Sequence, residues 1–185
     1  MAETFDRIDD AMRRWLEGQH VFFVATAPTG AGGHVNCSPK GTDSLRVIDD
    51  RTLAYLDFVG SGAETIAHLK ENGRIVLMLC AFEGPPRIVR FHGRGDVVAP
   101  DHPDFAELVA RFPARPGVRA IIRVFAERIA DSCGYGVPLM DFRAEREAMT
   151  KWAENKGPEG LVAYQRDKNA RSLDGLPGVD WLGSK

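Results

Sequence analysis

Seven strand-like runs crowd between residues 20 and 130, joined mostly by turns too short to hold a crossover helix. They read HVFFVATA, HVNCS, SLRVI, TLAYLDF, RIVLMLCAF, RIVRFHGRGDVVA and VRAIIRVFAERIA, and PTGAGG, SPKG, DDR and EGPPR separate most of them. Clusters of Gly, Pro and Asp of this kind mark turns. A parallel return needs a connection of a dozen residues or more, so the pairing is predicted to be mostly antiparallel. Two helices interrupt the meander, SGAETIAHLKENG after the fourth run and DHPDFAELVARF before the last. Residues 4–17 place Phe5, Ile8, Met12, Trp15 and Leu16 on one helical face and predict an N-terminal helix that Gly18 ends. The chain therefore reads as mostly β with flanking helices, a closed or nearly closed small barrel, because closure removes exposed strand edges. Residues 1–140 form the expected barrel segment. Residues 141–185 change character: DFRAEREAMTKWAENKG and PEGLVAYQRDKN read as two helices, with a Gly- and Pro-containing tail after them. Phe142, Met149 and Trp152 at helical spacing are expected to pack this extension on the barrel or on a partner subunit.

Composition narrows the function. Apolar residues make up 44% of the chain and charged ones 27%, enough to build an ordinary core. The net charge of -2 offers no basic field to recruit nucleic acid. There is no polybasic tract for an anionic membrane, and the run IVLML is far short of the ~20 residues of a membrane span. The acidic start MAETFDRIDD lacks a signal-peptide pattern. Three cysteines without a close pair point to reduced thiols and a cytoplasmic setting.

Four stretches could carry chemistry. In HVNCSPKGTDSLR a strand ends at Lys40-Gly41, which is either an edge turn or a corner that holds a phosphate. In GSGAETIAHLKENG, Ser61 and Glu64 have capping-box spacing and Asn72-Gly73 is a helix stop. A Gly-Ser-Gly entry to a helix is equally an anion site, but it is neither a P-loop nor a dinucleotide fingerprint. In RIVRFHGRG, alternation puts Arg90, His92 and Arg94 on one face and Arg87, Val89 and Phe91 on the other. Guanidiniums there are a solvated face or partners for a dianion. In CGYGVPLM, Gly134 and Gly136 flank Tyr135 in a loop that is a plain turn or a backbone approach to a flat ring. The five histidines are dispersed without metal-ligand spacing, no Gly-x-Ser-x-Gly elbow is present, and Cys37 and Cys133 are by default structural.

The order of these pieces resembles the FMN-binding split β-barrel family related to pyridoxamine 5'-phosphate oxidase. A strand ending in Lys-Gly leads to a strand, Gly-Ser and a helix ending in Asn; a long apolar strand and Arg-x-Val-Arg-x-x-Gly follow. The resemblance covers roughly residues 5–135. It implies a six-stranded, antiparallel, Greek-key-like split barrel that forms a homodimer with FMN at the seam. It further implies that Lys40 ends the flavin-facing strand and that Asn36, Cys37 and Ser38 lie along the ring edge. Gly60, Ser61 and Thr65 would serve the phosphate side, Arg87 and Arg90 the later strand, and Gly134 and Tyr135 the ring. The sequence departs from the oxidases at Val35, at Ala63-Glu64-Thr65, where cations are expected, and at Ile88, where they carry glutamine. The implied activity is FMN-dependent oxidoreduction of a small organic substrate other than pyridoxamine phosphate. The alternatives are a deazaflavin (F420) reductase, or a non-catalytic flavin- or haem-binding protein with His34, His68 or His92 as axial ligand.

Overall fold

The computed structural model describes residues 3–183, so the first two residues of the expected barrel segment and the last two of the extension fall outside it. In chain order the elements are β1 (Thr4–Phe5), α1 (Asp10–Glu17), β2 (Phe22–Thr26), β3 (Asn36–Lys40), β4 (Leu45–Val47) and β5 (Thr52–Phe58). They continue with α2 (Glu64–Asn72), β6 (Arg74–Cys80), β7 (Ile88–Val98), α3 (Phe105–Val109), β8 (Val118–Ser132) and α4 (Ala148–Lys168). The strands form one sheet in the order β3-β2-β6-β7-β8-β5-β4, with β1 added to β8. Every strand pairing is antiparallel. The sheet has eight strands, two beyond the expected six: short β1 and β4 are added at its margins. It curls into a split barrel, with β3 and β4 at the ends of its path.

Alternation explains the curl. Phe22 and Val24 of β2, Leu77 and Leu79 of β6, Val89 and Phe91 of β7 and Tyr55 of β5 all point inward into one buried cluster. Each such side chain contributes about 1.5–3 kcal/mol by leaving water. α2 and the tail residue Val179 close this cluster. A second, smaller core lies on the outside, where Leu108 of α3 and Phe112 cover Ala54, Leu56, Val98 and Ile121. The outer surface of β2, β6 and β7 receives no such cover: Phe23, Val76, Met78, Ile88 and Arg90 are half-buried there.

Three helices differ from the sequence reading. The first begins at Asp10 instead of residue 4, because Asp9 caps it by accepting the Met12 N–H at 2.7 Å. Thr4 and Phe5 are drawn off to pair with Ala130 and Ile129. In DHPDFAELVARF only Phe105–Val109 is helical. Residues 141–147 are irregular instead of helical, whereas the break of α4 at Gly157 (φ 64°, ψ 170°), just before Pro158, divides it into the two helices expected there. Proline there cannot donate to the preceding turn.

Gly93 marks a bulge where β7 shifts register against β8. A Cβ on Gly93 would lie 1.9 Å from the Phe125 carbonyl oxygen, on backbone that cannot move aside cheaply. Gly93→Ala is therefore expected to lower stability by about 1–3 kcal/mol in urea unfolding, whereas Gly136→Ala, which meets open space, leaves it unchanged. Equal midpoints for the two variants would contradict this reading of the bulge.

Candidate functional site

β3 is an edge strand with a polar inner face. Asn36, Ser38 and Lys40 point inward opposite Thr26, Val24 and Phe22 of β2, while Cys37 and Pro39 are exposed on the other side. The Asn36 amide donates to Thr65 Oγ1 at 3.0 Å and to Thr26 Oγ1 at 3.3 Å. The Ser38 hydroxyl donates to Asn36 Oδ1 at 3.1 Å. Thr26 Oγ1 is also 2.9 Å from Nδ1 of the fully buried His68. One hydroxyl–amide chain thus ties the edge strand to α2.

Across from Lys40 lies an ion pair removed from water. Asp57 and Arg119 are 1% and 4% exposed. The Arg119 Nε and Nη2 reach Asp57 Oδ2 at 2.8 Å and 2.7 Å, and its Nη1 donates to the Gly62 carbonyl at 2.9 Å. Lys40 Nζ is 3.8 Å from Asp57 Oδ1, close enough for attraction and too far for a hydrogen bond. Its charge is therefore the less committed of the two cations. The buried Tyr55 hydroxyl lacks a hydrogen-bond partner. Burial first, and then the neighbouring Asp57 charge, push its pKa well above the usual phenol value, so it stays protonated. Burial lowers the His68 pKa and keeps the imidazole neutral, with Nε2 also without a partner.

The phosphate side differs from the sequence reading. The N-cap of α2 is Ala63, with no side-chain cap, so the Ser61–Glu64 capping box does not form. Glu64 folds its carboxylate back over Gly62, where a Cβ would lie 2.1 Å from Oε2, and accepts the Leu173 N–H at 3.2 Å. The tail crosses the same loop: the buried Asn169 side chain donates to the Gly60 carbonyl at 2.8 Å. Asp174 is held by the His34 amide at 2.9 Å and imidazole at 2.7 Å. Those two contacts hold the Asp174 carboxyl below its usual pKa. Ser61 is exposed on this loop. The helix stop at Asn72-Gly73 is as expected, with Gly73 left-handed at φ 70°.

The structure thus brings Asn36, Ser38, Lys40 and Thr65 together, with Gly60 and Ser61 on the adjoining loop, and turns Cys37 away. Arg87, Arg90, Gly134 and Tyr135 gather elsewhere, near the start of β7. Arg87 stacks over Trp15 and Phe5, at 5.1 Å and 5.7 Å, and its Nε is 3.3 Å from Asp131 Oδ2. Arg90 donates to the Ser132 hydroxyl at 3.0 Å. Gly134 is needed because the Arg87 backbone nitrogen would lie 2.8 Å from a Cβ there; the close approach is to backbone, not to a ring. Tyr135 is 83% exposed. Among the three histidines considered for haem, His34 and His68 are engaged by Asp174 and Thr26. His92 lies half-buried on the outer face with Nδ1 free of partners. Burial, followed by the charges of Arg128 and Arg90, lowers its pKa. Among the described residues no group of three or more His, Cys, Asp or Glu could hold a metal ion, and no helix is long and apolar enough to cross a membrane.

Asp57 and Arg119 escaped the sequence reading, although each carries a signal. Asp57 is the one charge in the apolar run TLAYLDF and Arg119 one of two arginines in VRAIIRV, and charges are rarely fully buried unless paired. Arg119→Met strands the Asp57 carboxylate and is expected to cost about 3–5 kcal/mol in urea unfolding. Adding Asp57→Asn should recover a large part of that loss. A single variant as stable as the parent would show that the pair is dispensable.

Comparison with known proteins places these features. A family model described as pyridoxamine 5'-phosphate oxidase matches residues 8–133. The chain is 39% identical over 194 residues to the pyridoxamine 5'-phosphate oxidase family protein ustO of Aspergillus flavus, covering 95% of this chain and 77% of that one. Among solved structures, HupZ of Group A Streptococcus superposes with a TM-score of 0.50 at 25% identity, over 66% of this chain and 91% of that one. A candidate pyridoxamine 5'-phosphate oxidase from Lactobacillus delbrueckii superposes with a TM-score of 0.51 at 18% identity, over 69% and 98%; at that identity the likeness concerns the fold.

Proposed function

The chain belongs to the pyridoxamine 5'-phosphate oxidase family, and from that premise we propose that it is an FMN-dependent oxidoreductase acting on a small organic substrate. The observation that carries this reading is the inward row Asn36, Ser38 and Lys40, facing a dry Asp57–Arg119 pair in a chain of this family. A flavin ring edge needs hydrogen-bond donors and acceptors at fixed positions, and the cofactor's phosphate needs a cation. Asn36 and Ser38 supply the first, and Lys40 is free enough to supply the second. The partnerless Tyr55 hydroxyl is a further buried donor beside this row. These residues fit the group.

When bound, the flavin supplies the hydride chemistry. The protein holds it, keeps water from it and sets the polarity around it. Asn36 is held in place by Thr65 and Thr26, so its amide is pre-oriented and loses little freedom on binding. Arg119 acts through others: by holding Asp57 and the Gly62 carbonyl it fixes the wall that Lys40 faces.

The substrate is not a phosphate ester recognised at the α2 N-terminus. Glu64 and Asp174 bring two carboxylates to that end, where a second anion would be repelled. Exposure on the outside of β2, β6 and β7 supports a homodimer through this face. Val76, Met78 and Ile88 form a half-buried apolar surface with no cover from the chain's own helices, as expected for a face that meets a second copy.

Titration of FMN into the full chain, read by quenching of flavin fluorescence, tests the proposal. The expected result is saturable binding that Lys40→Ala weakens by about 1–3 kcal/mol, the scale of a charge-assisted contact. Turnover with NADH or NADPH would then separate an enzyme from a storage protein. Absence of binding by FMN, with a Soret band on adding haemin, would replace this reading with the haem one.

A further inference from the structure

A groove of about 630 Å³ lies on the outer side of the sheet, between the open end of the β2–β3 pair and residues 139–147. Its size falls in the range of small-ligand pockets, about 300–1,000 Å³. Its floor is apolar, formed by Val21, Phe23 and Pro39. One wall, residues 139–147, lies beyond the segment that the family model matches.

That wall has an unusual build. It has no helix or strand and is tied down by three hydrogen bonds. The Met140 N–H donates to the Phe82 carbonyl at 3.0 Å and the Phe142 N–H to Glu83 Oε1 at 3.0 Å. The Thr42 N–H donates to Glu145 Oε2 at 3.1 Å. Between these ties the Phe142 ring lies flat on the imidazole of His20, with centroids 3.6 Å apart and planes 9° from parallel. Phe142 is nevertheless 43% exposed and Met140 55%. At the rim, Thr42 and Asp43 both adopt left-handed backbone, with φ 61° and 52°. For a β-branched residue such as Thr42 this is costly, and strain of this kind gathers at binding sites.

We propose that this groove binds a planar aromatic ligand, and that Phe142 occupies the ring's place on His20 in the free protein. A half-exposed phenyl on an irregular segment buries little area, so a larger ring can displace it and gain the apolar floor as well. The ties that would have to give are few, and two of them end on the exposed carboxylates Glu83 and Glu145. Of the inward row, Lys40 reaches the groove, while Asn36 and Ser38 do not line it. The apolar floor and the Phe142–His20 stack involve no flavin-facing residue, so the site stands whether or not a flavin binds.

Calorimetric titration of 2-naphthol into the full chain, without flavin, tests this. The expected result is saturable binding of one molecule per chain. Phe142→Ala should tighten it several-fold by removing the competing ring. His20→Ala should weaken it two- to tenfold, the scale of one aromatic stack. Both positions are on the surface, so both variants should fold, and unchanged urea midpoints check this. Failure to saturate, or identical affinities in all three proteins, overturns the proposal and leaves the flavin reading intact. So does a dimer in which the second copy fills the groove.

Discussion

Two opposite charges buried side by side organise the polar half of this barrel. Asp57 on β5 and Arg119 on β8 are almost wholly excluded from water, and neither would be tolerated there alone. Their mutual hydrogen bonds use two guanidinium nitrogens, and the third ties down the carbonyl of Gly62. That contact sets the loop from which α2 starts. α2 in turn presents Thr65 to Asn36, and so the edge strand is held in place. Lys40 completes the layer from the opposite side, near enough to feel Asp57 and still able to engage a ligand.

Much of the architecture was legible because it follows from alternation and turn chemistry. The antiparallel meander, the inward apolar sets of β2, β6 and β7, and the stop at Gly73 are properties of residues close together in the chain. The failures have a common cause: a distant partner overrides a local pattern. Residues 4–9 carry a helical stripe, but pairing with β8 takes Thr4 and Phe5 away from it. Ser61 and Glu64 have the spacing of a capping box, but the tail offers Glu64 the Leu173 N–H instead.

The candidate site was half legible for the same reason. Asn36, Ser38 and Lys40 share the inner face of β3, and Asn36 reaches Thr65 of α2. Alternation alone places Cys37 on the opposite face from its neighbours, so it could not share their role. Gly134 serves the Pro86–Arg87 backbone. Arg119 could not be assigned from sequence because its meaning depends on Asp57, 62 positions away. The tail after α4 was read only as a Gly- and Pro-containing ending; it places Val179 in the core, Asn169 on the Gly60 loop and Asp174 on His34. It thereby sets the Asp174 carboxylate, next to the Leu173 N–H that Glu64 accepts, near the N-terminal end of α2.

Everything turns on where a flavin meets this layer. A crystal structure of the full chain grown with FMN addresses that directly. The expected result is two copies joined through the outer faces of β2, β6 and β7, with the ring edge against Asn36 and Ser38 and the phosphate within reach of Lys40. A flavin bound away from β3, or a structure that excludes it and leaves Asn36, Ser38 and Lys40 facing only their own chain, would contradict the account.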